Sequence, residues 1–190
     1  IVAPSKLAEA LQTLSLQIED GTVLILGEIA ESSASASQVR AVANALRVSG
    51  KVKLCRIPQG ANAIGLAQVT VLPKSNGKNA LQMLDGSINT FVLFGIEPQF
   101  DFAATTLVTK ALLTSKVIAC SAFVTEQLKE LADVILPIGL TPEIQASLVN
   151  VNGVEQSTEV AGKLPGSAQS GWRVLRALYD HCALPALSFV

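Results

Sequence analysis

Residues 130–156 read "ELADVILPIGLTPEIQASLVNVNGVEQ". Glu130–Ala132 closes a helix, and Val134–Leu136 is an unbroken apolar run of strand length stopped by Pro137, which has no N–H to offer a ladder. Pro142 marks a loop with one acid, Glu143. Leu148, Asn150 and Asn152 then alternate with Val149 and Val151 up to Asn152-Gly153, a dipeptide favoured where a two-residue hairpin needs positive φ at both positions. The stretch predicts a buried strand, a proline-marked corner and an antiparallel excursion. Glu143 is either a functional acid just past a strand or part of that corner.

The strand-helix unit repeats on the N-terminal side of this stretch. "GTVLILGE" is a continuous apolar strand preceded by a short helix with Leu7, Leu11 and Leu14 on one face. It is followed by "SASQVRAVANALRVSG", with Val39, Val42, Ala43 and Leu46 at helical spacing and Gly50 as the stop. "KVKLCRI", "NTFVLFG" with the helix "AATTLVTKALL", and "KVIACSAF" with "TEQLKELA" continue the alternation, Thr125 standing as an N-cap. Near-continuous Val, Ile and Leu runs predict strands covered on both faces. The expectation is one α/β domain over residues 1–190: a doubly wound, mainly parallel, Rossmann-like sheet of about five strands between helices, with a small hairpin near 147–156. After "AGKLPGSAQSG" a last helix carries Trp172, Leu175, Leu178, Tyr179 and Cys182 on one face.

Bulk properties remove several function classes. With 190 residues, 49% hydrophobic and 15% charged, the chain has material for a full core. Its net charge is −1 and its 14 Lys and Arg are scattered, so nucleic acid is not an expected partner. Apolar runs such as "TVLILG", "TFVLFG" and "DVILPIGL" are at most eight residues long, against roughly 20 for a membrane span, so no direct membrane insertion is expected. Cys55, Cys120 and Cys182 form no CxxC pair and His181 is the one histidine, which argues against a metal site and suits reduced thiols. A mean hydropathy of +0.46 with 4% aromatic residues is high for a free-standing domain and suggests a fragment that meets other surfaces.

Ligands of open parallel sheets bind at the carboxyl ends of strands, which directs attention to "LGEIAESS", "IPQGANAIG" and "FGIEPQF". "GEIAES" is no G-x-G-x-x-G, and Glu28 directly after Gly27 would repel a phosphate. Gly60, Asn62 and Gly65 would let backbone approach a ligand, although a tight turn is the plainer account of the glycines. Gly95 ends the next strand, and Glu97 before Pro98 leaves it extended; an ordinary solvated acid is the plainer reading there too. Glu28, Glu97 and Glu143 all stand at strand exits, so a shared crevice of carboxylates is one arrangement, but no histidine accompanies them as a neutral-pH base. His181 fits a helix C-terminus, and Ser32, Ser33, Ser35 and Ser37 fit helix capping. Gly27, Gly60, Asn62, Gly95, Glu97 and Glu143 are thus candidates for a weak sheet-end groove, with no catalytic residue and no metal ligand.

"LADVILP", followed by "LVNVNGVEQ" and then "PGSAQSGWRVLRAL", resembles the molybdopterin oxidoreductase superfamily. Within it the sequence is similar to the large iron-sulfur subunits of bacterial NADH-quinone oxidoreductase, respiratory complex I. Pro137, Glu143, Asn150, Gly153, Pro165, Gly166, Ala168 and Trp172 match the family pattern in order. Ala146 and Ser147 replace the favoured Gly-Thr, Asn152 an acid and Val154 an arginine. Ile96-Glu97 stand where active pterin enzymes usually show a Gly-x-Asn-Pro type loop, and the Glu97 carboxylate would oppose a pterin pyrophosphate. The resemblance implies a non-catalytic piece of the C-terminal, molybdopterin-oxidoreductase-like part of such a subunit, without the iron-sulfur domain and with no cofactor of its own. The implied partners are other peripheral-arm subunits, and the implied place is the cytoplasmic side, peripheral to the inner membrane. The iron-sulfur clusters that carry electrons from NADH to quinone would belong to the parent subunit. Alternatives are a cofactor-binding fragment of an active molybdopterin oxidoreductase and a Rossmann-like nucleotide-binding module.

Overall fold

The computed structural model describes residues 1–182 apart from positions 34, 75 and 103. Its contacts divide the chain into two compact units, one of Ile1–Leu72 with Ser147–Gln156 and one of Pro73–Ala146 with the chain from Ser157 on.

The first unit starts with α1 (Leu7–Leu14), β1 (Thr22–Leu26), the short α2 (Glu28–Ser32), α3 (Ala36–Val48), β2 (Val52–Arg56) and α4 (Ala63–Gln68). β1 and β2 pair in parallel, with Leu24 opposite Leu54 and Leu26 opposite Arg56. The period-3.6 pattern of α3 puts Val39, Ala43 and Leu46 on one stripe, and with Leu11, Leu26 and Val52 they form the core. β1 alternates in the structure: Leu26 is buried, whereas Val23 and Ile25 are 58% and 60% exposed.

The second unit contains α5 (Ala80–Met83), β3 (Thr90–Phe94), α6 (Pro98–Asp101), α7 (Thr105–Leu113), β4 (Lys116–Ser121), α8 (Glu126–Leu131) and β5 (Val134–Pro137). The strands run parallel in the order β3-β4-β5. Phe91, Leu93, Val117 and Ala119 face one way and pack on Val108, Ala111 and Leu112 of α7 and Leu128 and Leu131 of α8. The Thr125 hydroxyl accepts from Leu128 N at 3.1 Å, the expected N-cap of α8.

The α/β class, the five parallel strands between helices and the small hairpin are all present, the strands being divided into ladders of two and three. The central strand β4 is the most deeply buried, with Ile118 only partly covered, and its neighbours are exposed on one face. Successive right-handed crossovers in one direction put their helices on the same side of the sheet, so α7 and α8 share a face. Across the other face Val92, Ile118 and Val134 lie in direct register, with Val92 and Val134 about half exposed.

The corner after β5 is a single 3₁₀ turn, Thr141–Glu143, leading to the hairpin strands β6 (Ala146–Val149) and β7 (Glu155–Thr158). The hairpin does not close with two residues. Asn150 N donates to Val154 O at 3.0 Å and Gly153 N to Asn150 O at 2.9 Å, a three-residue loop in which only Gly153, at φ +79°, is left-handed. Asn150 Oδ1 accepts from both Asn152 N and Val154 N at 3.0 Å, so its side chain completes a loop that Asn152 was expected to form. In the second unit, Gly139 N donates to Gln169 O and Gln169 N to Pro137 O, which sets "SAQSG" beside the end of β5. There α9 (Gly171–His181) begins, Gly171 lying against the Phe94 ring.

Candidate functional site

At the exit of the first ladder, β1 leads through Gly27 into α2, whose first turn closes when Glu31 N donates to Gly27 O at 3.1 Å. That turn points Glu31 back at the end of β2. Its Oε1 accepts from Arg56 Nε at 2.6 Å and its Oε2 from Arg56 Nη2 at 2.7 Å and Arg40 Nη1 at 3.2 Å. The Glu31 side chain is only 11% exposed. The Arg56 hydrogen bonds, aided by those from Arg40, hold its carboxyl below the usual carboxylate range against the opposing effect of burial. The same pairing raises Arg56. Next to it, Glu28 Oε1 accepts from Gln59 Nε2 at 2.8 Å.

Gly60 is left-handed at φ +84°, with open space where a side chain would begin. Asn62 turns away from the exit: its Oδ1 accepts from Val149 N of the hairpin at 2.8 Å. Gly65 is buried in α4, and a Cβ there would run into the Asn62 side chain. "GANAIG" is therefore a device for holding β6. Gly65 makes room for the Asn62 amide, and the amide satisfies an N–H that strand pairing leaves over.

In the second unit, Gly95 (φ +62°) donates its N–H to Cys120 O at 2.8 Å, continuing the β3–β4 ladder. Glu97 is extended before Pro98, as expected; its N–H is taken by Asp101 Oδ2 at 2.6 Å and its side chain caps no helix N–H. Glu143 bonds within its own corner. Its Oε2 accepts from Leu140 N at 2.9 Å, closing the turn around its own residue, while Pro142 O accepts from Ala161 N and Gly162 N. Cys120 is buried and its thiol is pushed up by burial; the three cysteines are free. His181 ends α9 with Nδ1 2.7 Å from Ala177 O. Among the described residues no group of three or more His, Cys, Asp or Glu side chains could hold a metal.

Two features were not foreseen from the sequence. The Glu31, Arg40 and Arg56 trio carries no motif; its one sign was an arginine closing an apolar strand. A shallow groove of about 410 Å³ runs between Leu136 and Pro137 of β5 and Val174, Ala177 and His181 of α9. Its sign was the strong amphipathic pattern of the last helix.

A pterin pyrophosphate needs cationic or N–H donors pointing into the exit. In the first unit the converging guanidiniums already bond Glu31 and the Asn62 amide faces the hairpin. In the second, Gly95 N is in the ladder and Glu97 and Asp101 add negative charge. These residues do not fit that group. A family model described as molybdopterin oxidoreductase nonetheless matches residues 15–181. No curated protein matches the chain. The matched span takes in both parallel ladders, the corner, the hairpin and α9, and on that evidence the chain belongs to the molybdopterin oxidoreductase family.

Proposed function

We propose that the chain is a non-catalytic structural domain of the large peripheral-arm subunit of an NADH-quinone oxidoreductase, respiratory complex I, holding no cofactor of its own. The observation that carries this reading is the internal bonding of the strand exits: Glu28, Glu31, Asn62 and Glu143 each meet a partner in their own unit. Family membership and the match of Pro137 through Trp172 to the family pattern support it, as does the apolar strip of Val92, Ile118 and Val134, a surface of the kind other subunits cover. Among the described residues no helix is long and apolar enough to cross a membrane.

Deleting residues 15–181 from the parent subunit tests this role. The arm is expected to fail to assemble; an arm that forms and oxidises NADH at the normal rate without the domain would sink the proposal. A second reading, a cofactor-binding fragment of an active enzyme, draws on the open space beside Gly60 and Gly95. It requires pterin in the purified chain, whereas the first reading requires none.

A further inference from the structure

We infer that Glu31 is a built-in anion: its carboxylate fills a two-arginine site at the exit of the first ladder that would otherwise take a phosphate or diphosphate group. The inference rests on the proposed cofactor-free exit and gives its physical cause.

Arg56 closes β2 and Arg40 lies in α3, so two separate elements bring guanidiniums to one point. Arg56 presents Nε and Nη2 to two oxygens of one acid, at 2.6 and 2.7 Å. That fork matches phosphate as well as it matches carboxylate. The point lies where parallel ladders receive ligands, directly beyond Leu26 and Arg56 in register. Gly60, next to the Gln59 that bonds Glu28, has nothing within 4 Å of its Cβ position. The carboxylate is placed by backbone geometry, since the Glu31 N to Gly27 O bond of α2 fixes the turn that carries it.

The charges follow from the same three residues. Two guanidiniums and one carboxylate leave the trio at +1, and neutralising Glu31 makes it +2 while freeing both forks. An incoming phosphate must therefore displace a carboxylate that is already bonded three times and nearly buried. In wild type that competition favours Glu31, because the internal anion needs no association from solution.

The test is isothermal titration of inorganic pyrophosphate into the full chain at low salt, using wild type, Glu31→Ala, Glu31→Gln and Glu31→Ala with Arg56→Ala. Wild type is expected to show no saturable binding. Glu31→Ala is expected to gain affinity by about tenfold or more, and to lose the gain at high salt or when Arg56 is also removed. If circular dichroism shows Glu31→Ala unfolded, the near-isosteric Glu31→Gln decides, with a smaller gain in the same direction. Folded variants that bind no better than wild type would overturn the inference, and so would wild type binding as tightly as the variants. Pterin found in purified wild type would instead defeat the cofactor-free reading, so the two failures are distinguishable.

Discussion

Replacing Asn62 with alanine removes the side-chain bond that ties the start of α4 to the first strand of the hairpin, Asn62 Oδ1 to Val149 N at 2.8 Å. The partner left behind is a half-buried backbone N–H, and leaving such a group unpaired costs about 1–3 kcal/mol. The structure ties a second position to the same bond. Gly65 sits inside α4, where alanine is ordinarily favoured over glycine by about 1 kcal/mol, but its Cβ would meet the Asn62 side chain. Gly65→Ala should therefore gain helix propensity and lose the Asn62 bond, for a net destabilisation of about 0–2 kcal/mol. In the Asn62→Ala background nothing stands in the way, and the same substitution should stabilise by about 1 kcal/mol. Urea denaturation of the four proteins measures this sign reversal, and amide exchange at Val149 supplies a local readout, since its protection should fall in both single variants. Equal stabilisation by Gly65→Ala in both backgrounds, with Val149 still protected, would refute the coupling.

The other predictions concern separate parts of the fold. Glu31→Gln should destabilise the first unit by about 1 kcal/mol at neutral pH, a modest figure because both arginines are more than a third exposed. A carboxyl depressed in the folded state stabilises above its unfolded value of about 4.3 and loses that contribution as pH falls through the folded value. The gap between wild-type and Glu31→Gln urea midpoints should accordingly close on acidification, and a gap that widened in acid would contradict the pairing. Thr70 is a β-branched residue at φ +59°, so Thr70→Gly should raise stability by about 1 kcal/mol or less, visible as a higher melting temperature. At Gly171 an added Cβ would sit 2.5 Å from Phe94 Cζ, so Gly171→Ala should cost about 1–3 kcal/mol by forcing the ring or the start of α9 to move, read from the denaturation midpoint.

The strands and main helices were legible because apolar periodicity is a local property: "TVLIL", "TFVLF" and the Val39, Ala43 and Leu46 stripe each name their element directly. Thr125 as a cap was equally local. What escaped the sequence depends on where elements meet. The bare face of β3 follows from the strand order, since "TFVLFG" looks the same whether one or two faces are covered. The hairpin loop was mistaken by one step because Asn150, two residues ahead of the Asn-Gly pair, supplies the two acceptor bonds. Among the site candidates, Gly60, Asn62, Gly95, Glu97 and Glu143 do stand at exits as expected. The partner of Asn62 lies 87 residues away, and no local pattern encodes such a pairing. Glu143 was ambiguous because an acid after a strand looks the same whether it meets a ligand or its own turn.

We propose that these strand exits, bonded within their own units, hold none of the family's cofactor. Molybdenum and fluorescent pterin derivatives should be measured in the wild-type chain purified from cells supplied with molybdate and able to make the cofactor. Neither is expected above background, with the protein folded by circular dichroism. Stoichiometric molybdenum and pterin that survive gel filtration with the chain would contradict the claim.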